Sequence, residues 1–222
     1  MRFNVTKSKR VKKPLVKISP SKKIIIKVPY YYTKENISTF IKHNEKRIKK
    51  WIKKQFSQTI FYKKIKFFEG DKIPFMGKFY ELVYSYNQNK KLTLKDKFFL
   101  DIKYRKSARK IFYKWFKEKA GEILSNKLQY FAQKYKFKYT RLKISYGKSI
   151  YGTCSQNQEI TLSFRILFFP EDVIDYIIIH ELAHTQELNH SQKFWQIVEE
   201  IIPDFKEKRK WLKNNRNLTY IF

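Results

Sequence analysis

The chain has 222 residues, 42% of them apolar and 18% aromatic, enough to bury a sizeable core and too much for a disordered tail. Its formal net charge of +31, from 50 Lys/Arg against 19 Asp/Glu, points toward polyanionic partners: nucleic acid, nucleotides or an anionic membrane surface. No apolar run approaches the ~20 residues of a bilayer span, the first residues lack the apolar segment of a secretory signal, and a single cysteine, Cys154, excludes an internal disulfide framework. A cytoplasmic protein without a membrane span is expected.

The charge is uneven. Residues 1–70 hold 21 Lys/Arg against 3 Asp/Glu and residues 71–169 hold 22 against 7, whereas residues 170–222 hold 7 against 9. Lysine is enriched together with Ile, Asn, Phe and Tyr, the set an AT-rich coding sequence produces, so compositional drift competes with a functional basic surface.

In chain order, Leu15 to Ile18 and Lys23 to Val28 are short β-rich runs separated by Ser19-Pro20-Ser21, which reads as a hairpin. Thr33 is placed to cap a helix from Lys34 to Lys54, with Ile37, Ile41, Ile48 and Ile52 on one side and lysines on the other. From Ile60 to Leu100 aromatic and β-branched residues punctuated by Gly70, Gly77 and Asn87-Gln88-Asn89 predict a small antiparallel sheet. Ala108, Ile111, Phe112, Trp115, Phe116, Ile123, Leu124, Leu128, Phe131 and Tyr135 then recur every three or four residues, the signature of a long helix whose aromatic stripe faces a core. Three short strands follow at Arg141 to Ser145, Ser149 to Cys154 and Glu159 to Leu162. Pro170, with Glu171 and Asp172 in the first turn, opens a helix expected to reach about Glu187. Ser191 caps another, turning Phe194, Trp195 and Val198 inward, and Pro203 starts a last helix to about Lys213.

The chemistry concentrates in His180-Glu181-Leu182-Ala183-His184 and the following Thr185-Gln186-Glu187-Leu188-Asn189-His190. Residues four apart on a helix differ by about 40° around its axis, so the imidazoles of His180 and His184 share a face and can chelate one ion. His190 can supply a third ligand if the chain turns back soon after Glu187, a turn that Asn189 could make in the left-handed conformation. Glu181 adjoins the first ligand without coordinating and is placed to take a proton from water activated by the metal. The chain holds four histidines and three fall in this window, which makes accident a poor explanation. A structural zinc site would close all four positions and usually uses cysteine, so one catalytic Zn2+ ion is expected. Glu187 stands where metzincins have Gly, and Met1 and Met76 both lie upstream of the site, which argues against that clan. His43 has no companion and reads as a solvated helix residue.

The run Ile160-Thr161-Leu162-Ser163-Phe164-Arg165, then Pro170, Val173-Ile174-Asp175-Tyr176, the histidine motif, Asn189-His190-Ser191 and Phe194-Trp195 resembles the YgjP-type metal-dependent hydrolases, relatives of SprT-like zinc metallopeptidases. Gly152-Thr153-Cys154-Ser155 is similar to the family's Trp-Gly-Ser-Cys-Ser signature, with Tyr151 in place of Trp and Thr153 in place of Ser. Gly70 and Met76 to Leu82 resemble its amino-terminal β-region. The resemblance implies an α+β fold: a zincin-like core with the active-site helix beside a small sheet, a β-rich amino-terminal region with one amphipathic helix (residues 1–102) and a catalytic domain (residues 103–222). It implies His180, His184 and His190 as zinc ligands, Glu181 as the catalytic residue, and Tyr151, Thr153, Cys154 and Ser155 as a substrate-lining edge. Cys154 also fits the alternative of a buried small hydrophobe.

The reaction expected is metal-assisted hydrolysis. The electrophile could be a peptide carbonyl, as in SprT-like metallopeptidases, or the phosphoanhydride of a nucleoside triphosphate, an activity ascribed to YgjP-type members. The absence of a Gly-rich phosphate loop in the sequence leans toward the peptidase. A third reading is a basic DNA-binding protein with an associated protease site: Lys46, Lys49, Lys50, Lys53 and Lys54 line one helix, beside Trp51 and Phe56, and would bind nucleic acid without sequence preference.

Overall fold

A computed structural model describes residues 3–19, 22–58, 62–86 and 89–222, the side chains at 57 and 58 excepted. The expected turns at Pro20-Ser21 and Asn87-Gln88 lie outside the described residues. The chain divides into two compact units, Met1–Tyr62 and Lys63–Phe222.

In the first unit, β1 (Asn4–Ser8), β2 (Leu15–Ile18) and β3 (Ile24–Pro29) form a sheet in the order β1-β3-β2, and α1 (Lys34–Gln58) follows. The β2 and β3 strands pair antiparallel with Ile18 opposite Ile24, as a hairpin requires. The parallel partner β1 was not legible in the sequence: Asn4-Val5-Thr6-Lys7-Ser8 has one apolar residue, and only its pairing to β3 makes it a strand. Ile24, Ile26 and Val28 alternate inward along β3, the period of a half-buried strand. On α1, Thr33 caps as expected, its hydroxyl oxygen accepting from the Asn36 N–H at 3.2 Å. Ile48 and Ile52 close a core with Ile24, flanked by Phe3, Val16, Phe40 and Trp51. Trp51 is thus a packing residue, and His43 is exposed on the helix.

The second unit opens with β4 (Lys72–Phe75), β5 (Lys78–Ser85), β6 (Leu92–Leu94) and β7 (Phe98–Asp101), in the order β4-β5-β7-β6. The sheet is mixed and not antiparallel throughout: β7 returns between β5 and β6 and runs parallel to β5, with Leu82 opposite Phe98. Gly77 forms the β4–β5 turn at φ +77°, and a Cβ there would meet the Cα of Pro170 at 2.9 Å, so this turn has no room for a side chain.

The long helix α2 (Ala108–Lys134) buries Phe112, Phe116, Ala120, Leu124 and Leu128, one residue every turn. Its rings join Phe98, Phe164, Phe168 and Phe222 in a cluster of edge-to-face and tilted contacts, which assigns the aromatic stripe to the core. Next come β8 (Arg141–Ser145), β9 (Gly152–Cys154) and β10 (Glu159–Ser163), with β10 in the middle, parallel to β8 and antiparallel to β9. A fully buried 3₁₀ segment, Phe164–Phe168, leads into α3 (Glu171–Ala183), then α4 (Gln192–Ile201) and α5 (Phe205–Asn215). The α3 helix packs against α2, α4, α5 and the edge strand β9. Among the described residues the architecture is α+β, with three small sheets and five α-helices, and no helix is long and apolar enough to cross a membrane.

Candidate active site

The site grows from α3, where Ile177, Ile178, Ile179, Leu182 and Ala183 are buried almost completely. Such a helix has its orientation fixed by packing, which fixes the directions of His180, Glu181 and His184 with it. The helix ends at Ala183, earlier than the Glu187 expected from sequence. The Thr185 N–H and hydroxyl both donate to the Leu182 carbonyl and the Gln186 N–H to that of Ala183, so the last turn tightens and the chain leaves the axis. Asn189 does not adopt the left-handed conformation proposed for it. Two residues past it, the Ser191 hydroxyl accepts from the Phe194 N–H and starts α4, which anchors His190 between a tight turn and a cap.

The result brings all three imidazoles together. One ring nitrogen from each of His180, His184 and His190 lies within 4.8 Å of the others, an arrangement able to hold a metal ion. Nε2 of His180 and Nε2 of His190 are 3.1 Å apart. His184 Nδ1 lies 3.1 Å from the Glu187 carbonyl oxygen; an N–H there donates to the carbonyl and leaves Nε2 as a lone-pair donor. Phe194, fully buried, touches every ring, with centroids 4.9, 4.4 and 4.9 Å from those of His180, His184 and His190. Trp195 stacks on His190 at 5.5 Å and 21° and carries the Arg209 guanidinium 4.4 Å above its ring.

Electrostatics favour neutral bases. Burial pushes the His180 imidazole down to about 3, with further lowering from His184, His190 and the Arg209 cation, and burial, His184 and Arg209 lower His190 as well. Ligands that resist protonation remain available to a metal at neutral pH. Glu181 is 5% exposed, and burial alone holds its carboxyl up at about 8, close to the range suited to a general base.

The edge strand β9 lies against this carboxylate. Gly152 approaches so closely that a Cβ would stand 2.6 Å from Glu181 Cγ. Cys154, on the same strand face by alternation, is half-buried, and burial with the nearby Glu181 raises its thiol to about 11. The Tyr151 ring packs edge-on against Phe169 at 5.3 Å. Thr153 is exposed and opposite Thr161. Ser155 closes the β9–β10 turn, its backbone N–H donating to the Glu159 carbonyl and its hydroxyl accepting from the Glu159 N–H. The sequence alone does not mark Gly152, Phe194 as a common floor, or Arg209 as site residues. The first two stood in recognisable motifs, whereas Arg209, on α5, had no local signal.

A family model described as the YgjP-like metallopeptidase domain matches residues 12–215. Among solved structures, the chain is similar to the metallopeptidase zymogen of Pyrococcus abyssi abylysin, at 28% sequence identity and a TM-score of 0.37, over 40% of this chain and 90% of that one. No curated protein matches the chain.

Proposed function

The chain belongs to the family of YgjP-like metallopeptidase domains, and from that premise we propose that it is a zinc-dependent peptidase with a zincin-like core, ligated by His180, His184 and His190 and driven by Glu181. The observation that carries the reading is the convergence of the three imidazoles, with His180 Nε2 3.1 Å from His190 Nε2. Two imidazole nitrogens on a tetrahedral zinc at ~2.05 Å should be roughly 3.3 Å apart. A hydrogen bond between two neutral rings spans the same distance, so the metal reading is supported by the third imidazole, His184, whose ring nitrogen lies within 4.8 Å of the other two.

Zinc, when bound there, supplies Lewis acidity: it polarises a scissile carbonyl and lowers the pKa of water toward about 7. The rest falls to the protein. Glu181 accepts a proton from the attacking water at a carboxylate oxygen and passes it to the departing amine. Burial, which raises its proton affinity, suits it to both transfers. An extended polypeptide can add as a strand along the open edge of β9, since that strand pairs on one side only, with β10. Cys154 and Gly152 then form the wall on the carboxylate side, while Thr153 and Ser155 meet the substrate from the exposed rim and Tyr151 anchors the start of the strand.

The test compares wild type with Glu181→Gln on an unfolded protein and, in parallel, on nucleoside triphosphates, with zinc quantified in both. The variant is expected to keep one zinc per chain and lose ~10²–10⁴-fold of its proteolysis. Turnover confined to triphosphates would replace the peptidase with the pyrophosphatase reading; proteolysis unchanged in the variant would remove Glu181 from the reaction.

A further inference from the structure

A strongly cationic concavity of the second unit lies along α2, lined by none of the residues of the histidine cluster. It is a groove of about 1150 Å³ walled by Lys106, Arg109, Lys110, Lys114 and Lys117, all exposed, with Glu118 as its one acidic residue. Glu118 is paired with Lys114 at 3.8 Å, on a mutually exposed stretch where such a pair contributes little. From Arg109 to Lys117 the cations cover about 12 Å of helix axis, several times the ~3.4 Å of axis that each phosphate of one strand occupies in a duplex. The groove can therefore meet more than one phosphate at a time.

Its base is aromatic. Tyr113 and Tyr146 lie near-parallel, with centroids 6.2 Å apart at 18°, and Tyr146 remains 49% exposed. Lys117 sits 5.0 Å above the Tyr146 ring, and Arg109 5.7 Å above that of Tyr113.

Beneath the floor is a cation with no counter-charge. Arg165 is fully buried; it donates to the Thr219 carbonyl at 2.8 Å and to the Tyr113 hydroxyl at 2.6 Å. Its Nε has no hydrogen-bond partner, and its guanidinium faces the Tyr113 and Phe164 rings, at 5.2 and 4.9 Å, rather than a carboxylate. A buried guanidinium in that condition is costly unless an anion approaches. Tyr113, which receives its hydrogen bond, is the side chain that connects it to the groove. Although burial alone would raise the Tyr113 phenol, hydrogen bonds and charge from Arg109, Arg165 and Lys148 together bring it below its ordinary value.

We propose that this groove binds single-stranded nucleic acid without sequence preference, Arg109, Lys110, Lys114 and Lys117 meeting the phosphates and Tyr146 stacking a base. An acidic peptide would satisfy the cations but make no use of the stacked tyrosines, and a duplex keeps its base faces stacked on one another, away from Tyr146. The site is distinct from the lysine ladder of α1, where Trp51 is committed to the core. It stands apart from the peptidase reading and needs no catalytic activity for its test.

The experiment is fluorescence anisotropy of a labelled 12-nucleotide oligothymidylate with the full chain, each variant first matched to wild type by circular dichroism. Lys110→Glu with Lys114→Glu is expected to weaken binding at least 10-fold and to flatten its salt dependence, while the equal reversal Lys46→Glu with Lys50→Glu on α1 changes it less than 3-fold. Tyr146→Ala, which leaves charge untouched, is expected to weaken binding by ~5-fold or more, and Tyr146→Phe to restore it. Equal losses from the two charge reversals would mean bulk attraction and overturn the site. So would a Tyr146→Ala variant that binds like wild type, or competition by a duplex, a mononucleotide or polyglutamate as effective as that of the unlabelled strand.

Discussion

Gly152 fills the space against Glu181 so tightly that a methyl group on its Cα would stand 2.6 Å from Cγ and 2.7 Å from Oε1 of the carboxylate side chain. Glu181 is almost wholly buried and cannot swing into solvent to make room. Gly152→Ala should therefore displace the general base while leaving the three histidines in place. A displacement near 1 Å in a catalytic group costs up to ~100-fold. The expected result is a 10- to 100-fold fall in kcat with zinc content unchanged. A fully active variant would mean that the position of Glu181 is not set by β9.

Phe194 links the three imidazoles through one buried ring, so its removal should affect fold and metal together. Phe194→Ala is expected to destabilise the protein by ~3–5 kcal/mol, the usual cost of emptying a core aromatic site. Phe194→Leu keeps most of the volume and separates the two effects: it should fold, yet bind zinc more weakly because His184 loses the ring stacked on it at 4.4 Å. Chemical denaturation and a chelator competition read the two quantities. Unchanged zinc affinity in the folded Leu variant would limit Phe194 to a packing role.

The parts of this structure that sequence made legible are those coded locally. The period of α2, the cap at Thr33, the hairpin of β2 and β3 and the spacing of His180, His184 and His190 each depend on residues near one another in the chain, and each is found. Strand order is different. The parallel pairing of β5 with β7 depends on where β6 is placed, and β1 becomes a strand only because β3 offers an edge. The same limit applied at the site. The end of α3 at Ala183 is set by competition between the α-helical ladder and 3₁₀ bonds to Leu182 and Ala183, which no cap residue announced. Gly152 reaches Glu181 from β9 and Arg209 reaches Trp195 from α5, and nothing local tied either to the site.

His184 Nδ1 and the Glu187 carbonyl oxygen, 3.1 Å apart, lie in the turn that returns the chain to His190. This turn does two jobs: it orients one ligand and delivers another. His190→Ala removes the delivered ligand without altering α3, whose core residues are untouched. Loss of an orienting partner alone typically costs 10–100-fold in metal affinity, so loss of a ligand should cost more than ~100-fold, measured by competition with a chromogenic chelator. A variant that bound zinc as tightly as wild type would exclude His190 from the site.

The buried His180 and Glu181 pull stability in opposite directions as pH changes, and the two can be separated in protein stripped of metal. An unfolded imidazole takes a proton near pH 6.5, while folded His180 refuses one until about 3; its contribution is present above pH 6.5 and is lost as pH falls toward 3. Glu181 behaves inversely. Its folded carboxyl keeps a proton up to about pH 8 while the unfolded one releases it near 4.5, so its contribution is present below pH 4.5 and is lost as pH rises through 8. Between pH 4.5 and 6.5 the two slopes cancel. From pH 6.5 to 8 only Glu181 acts, and the expected loss is ~2 kcal/mol, or a fall in Tm of ~4–8 °C for a protein of this size. Glu181→Gln removes that titration and leaves every other group common to both proteins, so its melting temperature should hold across the same interval and exceed that of wild type at pH 8. Parallel melting curves for the two proteins from pH 6.5 to 8 would show that the folded carboxyl has already lost its proton in the metal-free protein, and that burial does not raise the proton affinity of Glu181.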